Sequence, residues 1–401
     1  MIDLVVLGGG AAGIFAAIQA KTLNPATKVV LLEKSAVLLA KVKVSGGGRC
    51  NVTHACFDPK LLVKHYPRGE KELLGPFHRF GPQDTIDWFE ARGVPLKVET
   101  DGRMFPLSNR SESIIECLLN EAGKLGVEIR LRARIEQITA SDGGFTLKLK
   151  QEELISCKNL LFATGSSPEG YQFLEQLGVK IESPVPSLFT FNVPTSALKE
   201  LSGNVVDPAE LQIKGASFVQ KGPLLITHFG FSGPAALKLS AWAARYLHEK
   251  DYKVELLINW LPEFSYEEIL EAFLTLKKEK PQKNLEVENL FKLPKKLWKA
   301  FIETRDKRLC ELSLKDFQVL SQKLHSDSYQ VEGKTTNKEE FVTCGGVNLK
   351  EVDFKTMQSK TCKGLFFAGE VLNIDGVTGG FNFQNAWTTG FIAGTSAAGE
   401  G

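Results

Sequence analysis

Three glycines stand at the spacing Gly8-x-Gly10-x-x-Gly13, a glutamate follows at position 33, and residues 45–51 read SGGGRCN. Together these residue types suit a ligand carrying a pyrophosphate and a ribose. Gly8 permits a tight turn and Gly10 lets the backbone approach a phosphate closely. Gly13 lets a helix and a strand pack together, and Ala11 and Ala12 open that helix at its positive dipole end. Glu33, twenty residues past Gly13, can accept hydrogen bonds from ribose hydroxyls, and a carboxylate there disfavours a 2′-phosphate. In SGGGRCN, successive glycine N–H groups up to Gly48 can form an anion-binding nest. Arg49 adds a fixed charge and Asn51 a polar contact. Cys50 beside that arginine could carry a lowered pKa, but its expected role is that of a small packing residue.

Such residues work only if the elements around them bring them together. IDLVVL (2–7) reads as a strand buried on both faces, AAGIFAAIQAK as a helix stopped at Asn24-Pro25, and KVVLLEK as a second strand ending at Glu33. This context makes the glycine motif a dinucleotide signature but does not separate NAD from FAD. The second glycine loop suits FAD, held along its length, better than an exchanging nicotinamide. NLLFATGSSP (159–168) predicts a strand that delivers Thr164 and Gly165 to the same sheet edge. At the far end, LFFAGE predicts a strand running into Gly369-Glu370, and GVTGGFN a turn through Gly379-Gly380. A helix then starts near Gly380 or Asn382, and its N-terminus would stabilise negative charge on a reduced flavin. No second GxGxxG in a β-α-β setting appears, so a dedicated NAD(P)H domain is not expected.

The whole chain has 401 residues, 43% hydrophobic and 24% charged, with a net charge of +2. That is a globular composition, and the molecule as a whole is not an electrostatic nucleic-acid binder. Seven scattered cysteines without a CxxC argue against a disulfide framework or a zinc site. No apolar run is long enough to span a bilayer, and residues 1–7 lack a basic n-region, so a cytoplasmic protein without membrane partners is expected. In the middle, residues 212–227 predict a hairpin, 253–260 a strand, and 266–280, 294–308 and 313–325 amphipathic helices. The lysine-rich span 277–308 is expected to be the solvated face of two of those helices. In THFGFSGPA, Ser232 can cap a helix beginning near Pro234, and His228 is the candidate proton donor.

The motifs GGGAAG, SGGGRCNVT, GRMFPLSNRSES, THFGFSGPA, VTCGGVNLKEVDFKTMQSK and GLFFAGEVLNIDGVTGGFNFQNAWTTGFIAG follow one another along nearly the whole chain. In these it resembles a family of bacterial NAD(P)/FAD-dependent oxidoreductases that includes bile-acid dehydro-reductase-like and aminoacetone-oxidase-like flavoproteins. The resemblance implies an α/β fold. A Rossmann-like FAD-binding domain would come from 1–190 and 343–401, an inserted β-rich domain from 191–260 and 325–342, and a helical subdomain from 261–324. It implies FAD contacts from Gly8 to Gly13, Glu33, Gly48, Arg49, Cys50 and Asn51, with Arg134 and Ile135 holding the adenine through backbone groups. Thr164 and Gly165 would join them, as would Gly369, Glu370, Asp375, Gly379, Gly380, Asn382 and Phe383 along the flavin. Lys41 also stands among the contacts, in Ala40-Lys41-Val42, where such proteins usually carry a Gly-basic-Lys run. Asn373 replaces a common aspartate.

The expected function is an FAD-dependent oxidoreductase. NAD(P)H would be a transient donor and a small molecule such as an activated alkene the acceptor, with nucleic acid not expected as a partner. Two alternatives stand beside it: a flavin oxidase of a small amine or ketone, and a flavin-bound RNA-modifying or RNA-binding protein using the basic helices.

Overall fold

The strand Ile2–Leu7, buried from Leu4 onward, lies inside a nine-stranded sheet. Its parallel core runs Glu128–Leu131, Val29–Glu33, Ile2–Leu7, Leu154–Phe162, Leu365–Phe367. Three of these strands are nearly continuous apolar runs, as strands covered on both faces must be. Antiparallel pieces extend the sheet beyond Leu154–Phe162, with Gly144–Leu149 pairing that strand and Gln358–Ser359 pairing Leu365–Phe367. The computed structural model describes residues 1–150, 152–302, 307–336 and 342–399.

The helix Ala11–Leu23 follows the first strand and ends at Asn24, just before Pro25. It packs against the C-terminal helix Phe381–Gly399 at backbone distance. A Cβ added to Gly390 would lie 2.8 Å from the Ala12 carbonyl oxygen, and one on Gly394 would lie 2.3 Å from that of Ala16. The two glycines, one helical turn apart, let the last helix lie directly on the first. The two ends of the chain are therefore joined through their main chains.

Two compact units result, one from residues 1–185 and 338–401, the other from 186–337. In the second, seven antiparallel strands run in the order Asp327–Glu332, Lys253–Asn259, Val205–Ile213, Val219–Ile226, Gly230–Ser232, Thr190–Asn192, Lys334–Thr335. The hairpin expected over 212–227 is the pair Val205–Ile213 and Val219–Ile226. The helices Tyr266–Glu279, Lys295–Phe301 and Leu314–His325 bury Phe273, Trp298 and Phe317 in one core with that sheet. Ser265 and Ser313 cap the first and third of them through capping boxes. The helix expected over 294–308 spans Lys295–Phe301, and residues 303–306 lie outside the described ones. Among the described residues no helix is long and apolar enough to cross a membrane.

Candidate functional site

The parallel register aligns Leu7 with Leu32 and with Phe162, and Phe162 with Phe367. Gly8, Glu33, Thr164-Gly165 and Gly369-Glu370 therefore leave the sheet at one carboxyl edge, where open α/β sheets bind ligands. The three motif glycines serve different ends. Gly8 has φ +107°, and a Cβ there would lie 2.4 Å from the Ala163 carbonyl oxygen; a Cβ on Gly13 would lie 2.0 Å from that of Gly8. Packing of the protein on itself requires both. Gly10 has an ordinary φ of −84°, and a Cβ there would meet nothing within 4 Å. No internal contact calls for glycine at position 10, so the space in front of it suits a ligand. Gly10 is also the N-cap of the helix Ala11–Leu23 and has no capping side chain, which leaves the first-turn N–H groups directed into that space.

Glu33 closes the same loop. Its Oε2 accepts the Gly9 N–H at 2.8 Å and its Oε1 the Ser35 N–H at 2.7 Å. Each carboxylate oxygen keeps a second lone pair, which fits a ribose diol. The Ala133 N–H donates to the Glu33 carbonyl and the Arg132 N–H to that of Ser35, so Arg134 and Ile135 follow directly beside the acid. The Arg134 carbonyl is taken by the Lys150 N–H at 2.9 Å. The Thr164 hydroxyl is buried at the sheet edge with no hydrogen-bond partner among the described residues.

The SGGGRCN stretch breaks a short helix, Ala40–Gly48, at Ser45. Gly46, Gly47 and Gly48 are all left-handed, with φ of 58°, 68° and 81°. Phe105 presses on Gly46, whereas a Cβ on Gly47 or Gly48 would meet nothing within 4 Å. Two of the three glycines thus face open space, as a loop shaped around a ligand would. The side chains after them point inward. Arg49, expected to add a fixed charge beside the ligand, donates to Glu99 at 2.6 Å and lies over the Phe105 ring at 4.0 Å. Arg103 pairs with the same carboxylate at 3.2 Å. Cys50 is fully buried, and burial pushes its thiol up to about 12, the reverse of an activated thiolate. The Asn51 amide, oriented by its neighbours, donates to the Thr53 and Met104 carbonyls and accepts the Gly380 N–H at 2.9 Å.

That last bond ties the second loop to the C-terminal helix. Gly379 and Gly380 have φ of 133° and 93°, and a Cβ on Gly380 would lie 2.5 Å from the Thr53 carbonyl oxygen. Trp387 Nε1 donates to the Val52 carbonyl and Thr53 Oγ1 to Gln384 Oε1, all buried. Asn382 both donates to and accepts from the backbone of Gly376, and Phe383 stacks on Trp387. Asp375, fully buried, takes a two-pronged ion pair from Arg68. Asp375 and Asn382 therefore brace the turn that presents the helix N-terminus. Lys41 pairs with Glu370 at 2.5 Å, and Glu370 also accepts the Thr343 N–H. Gly369 comes so close to the first helix that a Cβ on it would lie 2.8 Å from Ala12 Cβ.

Two histidines at this end were missed from the sequence. His54 and His65 stack on Phe381 with ring centroids at 4.7 and 4.2 Å. No spacing links positions 54, 65 and 381; the tertiary fold brings them together, with the Val377 N–H donating to the His65 carbonyl and the Tyr66 hydroxyl to that of Phe381. His228 lies exposed in the turn between Val219–Ile226 and Gly230–Ser232, in the second unit. Ser232 precedes the helix Gly233–Trp242 as expected, but its hydroxyl accepts from Thr190 and makes no cap bond.

An uncapped helix start beside an unencumbered glycine, an acid with spare lone pairs and a second open glycine loop fit a dinucleotide such as FAD. Consistent with this, the chain belongs to the family described as HI0933-like protein Rossmann domain, which it matches over residues 2–396. It is 30% identical, over 96% of both chains, to the "Ribosomal RNA dihydrouridine synthase" of Escherichia coli (strain K12). It is 28% identical, over 98% of both, to the "3-dehydro-bile acid delta(4,6)-reductase" of Clostridium scindens (strain ATCC 35704 / DSM 5676 / VPI 13733 / 19). Among solved structures it resembles a 3-ketosteroid-delta4-(5alpha)-dehydrogenase from Rhodococcus jostii RHA1, with a TM-score of 0.51 and 14% identity over 99% of this chain and 96% of that one. That last likeness bears on the fold alone. The chain is a flavoprotein oxidoreductase with an FAD-binding Rossmann fold.

Proposed function

We propose that this protein is a reductase of carbon–carbon double bonds conjugated to a carbonyl, and that its substrate is uridine within ribosomal RNA. The observation that supports FAD as the cofactor is that a Cβ on Gly10, Gly47 or Gly48 would meet nothing within 4 Å, and the reaction class is supported by the two relatives named above. The substrate reading is supported by 30% identity, end to end, with a protein named for making dihydrouridine in ribosomal RNA. The two curated relatives also share one chemistry. The 5,6 double bond of uridine and the ring double bonds of a 3-oxo steroid are both polarised by a neighbouring carbonyl. Saturating such a bond takes a hydride at the carbon β to the carbonyl and a proton at the α carbon.

When bound, FAD would supply the hydride chemistry, with NAD(P)H as the proposed transient donor. The chain supplies the setting. Ala11 to Gly13 offer helix N–H groups and Gly47 and Gly48 an open backbone to the pyrophosphate; Glu33 takes the ribose; the backbone at Arg134 and Ile135 lines the adenine. The N-terminus of Phe381–Gly399, held by Asn51 and Asp375, would offer its positive dipole to the flavin end. Histidines are the fitting proton donors near neutral pH. His228 is one, and His54 and His65 on Phe381 are two more.

The direct test is anaerobic mixing of the yellow holoprotein with NADH and with NADPH. Bleaching of the flavin absorbance by either supports the donor assignment; a flavin that neither bleaches refutes it. A small conjugated enone that reoxidises the reduced flavin faster than ribosomal RNA does would move the substrate from RNA to the steroid class.

A further inference from the structure

Residues 277–302 in the second unit carry eight lysines and three glutamates. Glu286 pairs with Lys299 and Glu288 with Lys280, and Lys277 donates to the Leu312 carbonyl. Among the described residues, Lys283, Lys292, Lys295 and Lys296 have no carboxylate in ion-pair range, and all four are exposed. The helix Lys295–Phe301 buries Leu297, Trp298 and Phe301, so Lys295, Lys296 and Lys299 project from its other side.

A merely solvated lysine face would keep its remaining exposed positions polar, and this one does not. Val287 is 75% exposed, Leu290 38% and Phe264 42%. Phe264 is also fixed. It packs edge-on against Phe291 at 5.4 Å, which packs on Phe273 at 5.7 Å, which stacks on the buried Trp298 at 6.3 Å. This ladder of rings runs from the core to the surface and ends in the Phe264 edge against Phe291, whose chain neighbour is the exposed Lys292.

We infer that this surface, Lys283 to Lys296 with Phe264 at its edge, docks unpaired segments of ribosomal RNA. Ammonium groups track phosphates without reading sequence, and a rigid exposed ring gives a base something to stack on. A lipid surface is a poor fit, because the apolar side of the one short helix here is already spent on the core. The identity of the partner rests on the ribosomal RNA reading above; the surface itself rests on the lysines and the ring ladder.

Fluorescence anisotropy of the FAD-loaded full chain against a labelled ribosomal RNA fragment, across a salt series, tests it. Dihydrouridine formation is measured in parallel, and bound FAD and melting temperature report folding. The combined Lys292→Glu, Lys295→Glu and Lys296→Glu variant should bind roughly tenfold or more weakly and lose about two from the log–log salt slope. Phe264→Ala should weaken binding roughly fivefold and leave the slope unchanged. Variants that bind like the wild type overturn the docking surface, and if the wild type still makes dihydrouridine the catalytic reading survives that loss. A wild type that binds RNA through these residues yet makes no dihydrouridine refutes the substrate assignment and upholds the surface. A wild type that ignores RNA, or prefers anionic vesicles, overturns the inference.

Discussion

Gly13 is demanded by the fold and Gly10 by nothing inside it, and this contrast gives a clean test of ligand binding at the residue scale. Gly10→Val should leave the apoprotein's melting temperature within a few degrees of wild type, because the new side chain enters open space. Its affinity for FAD should fall by about a hundredfold, read by flavin fluorescence quenching. Gly390→Ala should do the reverse. It forces the two chain ends apart and should cost about 1–3 kcal/mol of stability in a denaturant melt. Cys50 yields a pH prediction. Its thiol, like that of Cys157, is raised from the ordinary 9.0 to about 12 by burial. In the unfolded chain the thiol ionises above pH 9.0, whereas in the native protein it stays protonated, so the unfolded state gains from rising pH and the fold loses stability between 9.0 and about 12. Below that window, native Cys50 should resist alkylation while the exposed Cys310 reacts; rapid labelling of Cys50 at pH 8 would contradict its burial. The glycines and the acid stand out in the sequence because that spacing has few other uses for them. Tertiary partners do not. Arg49 meets Glu99 and Asn51 meets Gly380 only through tertiary folding, which spacing does not report.

At the scale of elements, the buried strands and the first and last helices follow from apolar runs with glycine turns between them. The kinked helix Ala40–Gly48 was not visible, because its second half is three glycines held left-handed by packing and ligand-facing space. The helix at 295 was overdrawn, because its apolar spacing continues past Phe301 where the observed helix ends. In the proposed site the flavin end would meet the N-terminus of Phe381–Gly399, and two substitutions probe the mooring of that helix. Asn51→Ala leaves the half-buried Gly380 N–H without its acceptor and should cost about 0.5–1.5 kcal/mol. Arg68→Ala removes the two-pronged ion pair from the fully buried Asp375 carboxylate and should cost about 3–5 kcal/mol, with weaker FAD retention. Thermal melts of apo and holo forms check both; an unchanged holo melting temperature in either variant would show that this turn is not held as described.

At the scale of the whole molecule, the chain begins and ends in one nucleotide-binding unit and spends its middle on a second unit of sheet and helices. The nucleotide motifs sit at the two ends of the sequence and the intervening patterns change character. The chemistry of the second unit was not legible. Its lysines look like any solvated helix face until the ring ladder to Phe264 is seen, since rings at 264, 273, 291 and 298 share no single period. The most direct measurement is therefore made on the intact holoprotein. It is reduced anaerobically and then offered ribosomal RNA from cells lacking the protein, with flavin absorbance followed and the RNA digested for nucleoside mass spectrometry. The account predicts that the RNA restores the oxidised flavin spectrum and that a uridine gains two hydrogens. Flavin that stays reduced in the presence of that RNA, with no dihydrouridine formed, would contradict it.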